Sequence, residues 1–75
     1  MAEQTEWESK AANLLKAELK RKGVTYAQLV EKLAGIGINE KEVNVANKLS
    51  RGKFSAAFML QCLRAIDCSE VRLCP

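Results

Sequence analysis

The 75-residue sequence has no histidine, a single aspartate (Asp67), a single proline and few aromatics: one tryptophan, one tyrosine and two phenylalanines. Without histidine, no serine, cysteine or lysine has a nearby sequence partner to activate it as a nucleophile, and no enzyme activity is expected. The three cysteines, Cys62, Cys68 and Cys74, contain no Cys-x-x-Cys pair. A zinc site would need Asp67 or Glu70 as fourth ligand, which structural zinc sites rarely use, so no metal and no cofactor is expected. An odd number of thiols cannot all pair within one chain, which fits a reducing compartment. Cys62 reads as a core thiol, and Cys68 and Cys74 as incidental thiols near the tail, with an intermolecular disulfide at Cys74 on oxidation as a side reaction without a functional role. No apolar run approaches the roughly 20 residues that span a bilayer. The acidic start lacks the basic and apolar segments of a secretory signal. A cytoplasmic location, with no membrane and no small-molecule substrate, is the expectation. Gly35 and Gly37 join two predicted helices rather than follow a strand, so they do not form a phosphate-binding loop. RNA recognition lacks stacking aromatics beyond Tyr26.

What is present is charge of uneven distribution and strong helical patterning. The formal net charge is +3, but residues 1–9 carry −3 and residues 65–75 carry −1, leaving +7 on residues 10–64. A basic body with acidic ends points to an anionic partner.

Four helix starts can be read. Thr5 and Glu8 form a capping box, followed by Trp7, Ala11, Leu14, Leu15 and Leu19 at helical spacing. Lys20, Arg21 and Lys22 suit the negative end of the helix dipole, and Gly23 suits a left-handed stop; this predicts a helix over 6–22 with Trp7 in the core. Thr25 and Gln28 repeat the box and predict a helix over 26–34, with Ile36 and Ile38 anchoring the following turn inside. Asn39 and Glu42 make a third box, stapled by Ile38 and Val43, for a helix over 40–51 that ends at Gly52. Ser55 caps a fourth helix over 56–66, with Phe54 stapled to Met59. That helix is apolar almost all round and is expected to be central and buried. The tail, 67–75, is either a short extended segment on the core or a frayed end. The expected architecture is a single all-α domain, a compact four- to five-helix bundle.

Helices 2 and 3 are ordered as a helix-turn-helix, whose second helix enters the major groove. Lys41, Asn44 and Lys48 fall on one exposed stripe of helix 3. Asparagine can bond adenine bidentately and lysine can donate to guanine, so these three are the expected base contacts. Arg51 and Lys53 bracket Gly52, while Thr25, Tyr26 and Gln28 open helix 2; these five are the expected contacts to the DNA backbone. Glu40 and Glu42 cut against this at the start of helix 3. Glu42 is assigned to the capping box, and Glu40 either to the helix dipole or to a cytosine amino group.

The segments 24–30 (VTYAQLV) and 47–53 (NKLSRGK) resemble Xre-type helix-turn-helix domains of the lambda repressor and Cro kind. The resemblance runs from about Ala11 to Asp67 and is nearest to small bacterial single-domain members. It implies a lambda-repressor-like bundle that binds operator DNA, often as a dimer, and acts in transcription regulation. The chain departs from the pattern at Ser50, where Glu is usual, and at Tyr26, where Gln is usual. The connection between helices 2 and 3 is longer by about three residues, the usual proline before helix 4 is missing, and there is no clear fifth helix. No exposed heptad or apolar stripe marks a dimer face, unless Val71 and Leu73 pair between chains. The alternative is a protein-interaction module that keeps the fold without binding DNA.

Overall fold

The computed structural model describes residues 5–73, and over these the chain forms four helices and no strand. They are α1 (Glu6–Lys22), α2 (Tyr26–Gly35), α3 (Glu42–Arg51) and α4 (Ala56–Ala65). Helix α1 packs on α3 and α4, and α2 packs on the same two. Cys74 lies outside the described residues.

The first two starts form as their sequences dictate. The Thr5 hydroxyl accepts from the Glu8 N–H at 3.0 Å while Glu8 Oε1 accepts from the Thr5 N–H at 2.8 Å. Thr25 and Gln28 repeat this at 3.1 and 2.9 Å. Each box satisfies donors that a helix start otherwise leaves bare. Ser55 caps α4 by accepting from the Phe58 N–H at 2.9 Å.

The third start differs from expectation. Helix α3 begins at Glu42 behind an N-cap, Lys41, that makes no side-chain capping bond. The Asn39 box does not form. Ile38 is packed against the core just after α2 ends, and the chain must run from that anchor to α3 before it can coil. Glu42 instead opens the first turn, where its charge suits the dipole. Val43 is 61% exposed, so it does not staple to Ile38, and Ile36 also faces outward.

Three helices end in the same way. Gly23, Gly37 and Asp67 adopt left-handed backbone with φ of 69°, 84° and 58°. The next residue's N–H then reaches back to a carbonyl: Val24 to Leu19, Ile38 to Leu33 and Cys68 to Leu63, each at 2.9 Å. These are Schellman ends, and in each the two bonded residues belong to or pack on the core, which supplies the apolar contact the motif favours. Helix α3 stops at Gly52 (φ 70°), whose N–H bonds the Lys48 carbonyl.

The core joins Leu15 and Leu19 of α1, Leu29 and Leu33 of α2, Val45 and Leu49 of α3, and Phe58, Cys62 and Leu63 of α4, with Ile66 beyond it. Two expectations are corrected here. Trp7 is 75% exposed, with Lys10 Nζ 5.2 Å from its ring centroid. The buried stripe of α1 is Ala12, Leu15 and Leu19, and at 100° per residue Trp7 lies about 80° or more from each of these. Helix α4 is not buried all round, because Leu60 is 66% exposed and Ala56, Ala57 and Arg64 also face outward. Only its Phe58–Cys62–Leu63 face has helices to cover it. The Phe54 ring meets Phe58 at 5.6 Å between centroids.

The tail is tied where it leaves α4. Lys22 Nζ donates to the Asp67 carbonyl at 3.2 Å, and the Cys68 thiol donates to the Glu70 carbonyl at 3.0 Å. Beyond that, Leu73 is exposed.

Candidate nucleic-acid interface

Helix α3 presents Asn44 and Arg51, seven residues apart, on one outward stripe; Lys41 precedes the helix as its extended N-cap, and Lys53 follows just beyond Gly52. All four are exposed. Arg51 and Lys53 lie immediately before α4, whose first turn carries no acidic residue; the first turn of α2 carries none either. Two helix N-termini therefore keep their positive ends uncompensated.

Thr25 and Gln28 sit on the first turn of α2, exposed, with their oxygens engaged in the capping box. The Thr25 O–H proton and the Gln28 amide protons remain available as donors outward. Tyr26 is half-buried and packs against the core.

Lys48 occupies the same stripe but turns back on the protein. Its Nζ lies 2.7 Å from Glu40 Oε2 and 4.4 Å from the centroid of the Phe58 ring. The Lys48 side chain is 36% exposed and that of Glu40 only 14%. The pair pins the extended residues ahead of α3 to its third turn. After solvent screening it contributes about 1 kcal/mol, with the aromatic contact adding a similar amount at most. Glu40 lies ahead of α3, and its carboxylate is engaged by Lys48. Sequence spacing carries no sign of it, since the residues are eight apart and Glu40 lies outside the helix.

Cys62 packs close to this pair. Burial pushes its thiol up to about 12, the Glu40 carboxylate adds to the rise, and the Lys48 ammonium opposes it. Below the ordinary thiol value of 9.0 both folded and unfolded thiols keep their protons, and the stabilisation is fully present. Above it the unfolded thiol ionises while the folded one does not, so stability is lost as pH rises toward about 12. Relative to Cys62→Ala, the wild type should lose about 1 kcal/mol per pH unit across this window. Urea midpoints of both proteins at a series of pH values check this; parallel profiles would refute it.

Two of the three basic residues at the end of α1 are engaged internally. Arg21 donates to Glu18 Oε1 from Nε at 3.1 Å, and Lys22 is bonded to the Asp67 carbonyl. The Arg21 hydrogen bond holds the Glu18 carboxyl below its usual range, although partial burial opposes this. Among the described residues no cluster of His, Cys, Asp and Glu could hold a metal ion, and no helix is long and apolar enough to cross a membrane.

The described residues define a small all-α domain in which Asn44 and Arg51 of α3 are exposed together with the flanking Lys41 and Lys53, and with Glu42 beside them. Within that class the chain belongs to a family described as a domain of unknown function (DUF6471), matched over residues 7–71. No curated protein and no solved structure matches it.

Proposed function

We propose that this domain binds double-stranded DNA, with α2 and α3 as a helix-turn-helix and α3 entering the major groove. The observation that carries the reading is the exposed Asn44 and Arg51 of α3, flanked by exposed Lys41 and Lys53, with no acidic residue in the first turns of α2 and α4. In this reading Lys41 and Asn44 face base edges, and the exposed Val43 between them is placed for the methyl group of a thymine. Thr25, Gln28, Arg51 and Lys53 hold phosphates, and Lys48 drops out of the base-reading set because Glu40 engages it. The Xre-type resemblance supports a lambda-repressor-like arrangement. It also supports a role as a bacterial or phage transcription regulator in the cytoplasm, acting as a dimer on paired half-sites.

A titration with random-sequence duplex DNA at several salt concentrations, followed by amide shifts, tests this. Binding should move residues 25–28 and 41–53, with affinity falling steeply as salt rises. Absence of any shift at low salt would end the DNA reading. The second reading, a protein-interaction module, has its own support in the exposed Leu60, which borders an open groove lined also by Leu63, Arg64 and Val71.

A further inference from the structure

We infer that Glu40 is an affinity-setting residue: its carboxylate stands in for a DNA phosphate at Lys48 and keeps that lysine out of the interface. The inference rests on the DNA reading above and deepens it. Three observations carry it. Lys48 shares the α3 stripe with Asn44 and Arg51, so its backbone position is that of a contact residue. Its ammonium is nevertheless held 2.7 Å from Glu40 Oε2 and 4.4 Å from the Phe58 ring centroid. Glu40 is itself fixed, with its side chain mostly buried, on the short extended stretch between the Ile38 anchor and the first turn of α3.

An ammonium needs the same partner from a carboxylate or a phosphate: an anionic oxygen at hydrogen-bond distance. A phosphate must therefore displace a carboxylate already in place, and that competition costs affinity for every sequence alike. Contacts to base edges are untouched. The internal pair thus lowers affinity for specific and non-specific sequences by the same factor, and discrimination rests on Lys41 and Asn44.

The test compares the wild type, Glu40→Gln, and the double variant Glu40→Gln with Lys48→Met on random-sequence duplex DNA across a salt series. Glu40→Gln should bind about tenfold tighter at ~50 mM salt, with a salt slope steeper by about 0.9, the value of one added phosphate contact. The double variant should return to the wild-type slope and affinity. If the double variant keeps the gain, the effect is the loss of a negative charge alone and the role of Lys48 is overturned. If the wild type binds and Glu40→Gln binds no tighter, this inference fails while the DNA reading stands; if neither binds, the DNA reading fails as well. A measurement on the wild type needs no variant to fold. The Phe58 ring resonances should hold their positions on saturation with DNA, because Lys48 stays in place above them, and a large shift there overturns the inference.

Discussion

Reversing both charges at the α3–α4 junction, Arg51→Glu with Lys53→Glu, should lower affinity for duplex DNA by about 100-fold at ~50 mM salt and flatten the salt slope by about 1.8. Each neutralised phosphate contact removes about 0.9 from that slope, and the added carboxylates repel the backbone where the cations attracted it. Both side chains are exposed, and neither is engaged by another of the described residues, so the fold should persist. The expected structural cost is about 0.5 kcal/mol, because a carboxylate at position 51 opposes the dipole at the end of α3. Fluorescence anisotropy over a salt series, paired with a thermal melt, separates the two effects. An unchanged slope in a folded double variant would remove this junction from the interface.

Leu49→Ala should destabilise the domain by about 3 kcal/mol and lower its melting temperature by roughly 15 °C. Leu49 has no solvent exposure and belongs to the core shared by all four helices. Truncation removes the transfer energy of the buried methyls and leaves a void that the surrounding helices cannot fully close. A chain of this length has on the order of 4–11 kcal/mol in total, so the loss is a large fraction of it. The matched control is Leu60→Ala on α4, which should cost within about 0.5 kcal/mol because Leu60 is 66% exposed. Equal melting shifts for the two variants would contradict the core assignment.

The contrast between Leu49 and Leu60 shows what the residue pattern can and cannot convey. Capping and stopping chemistry is local, so Thr5 with Glu8, Thr25 with Gln28, Ser55, Gly23 and Gly52 could all be read directly. The all-α class follows from those starts. Burial is different, because periodicity marks which residues share a face but not which faces find a neighbour. Trp7 and Leu60 lie on apolar stripes, yet no helix covers them. The start of α3 was obscured for a related reason. Asn39 and Glu42 form a sound box in isolation, but the Ile38 anchor is a tertiary contact that no local motif announces. At the candidate interface, Lys41, Asn44, Arg51 and Lys53 stand out by spacing and charge. Lys48 meets every one of those criteria, and only the folded chain reveals that Glu40 and Phe58 engage it.

The order in which the helices pack bears on how the chain is made. Among chain neighbours the backbones of α2 and α3 approach each other most closely, while α1 packs on α3 and α4, and α2 also on α4. As the polypeptide leaves the ribosome, the α2–α3 pair is the one local unit available. It still shows bare leucines on two sides until α4 has emerged. Closure therefore comes late and in one step, with Phe58, Cys62 and Leu63 sealing the surfaces that α1 and α2 have left open.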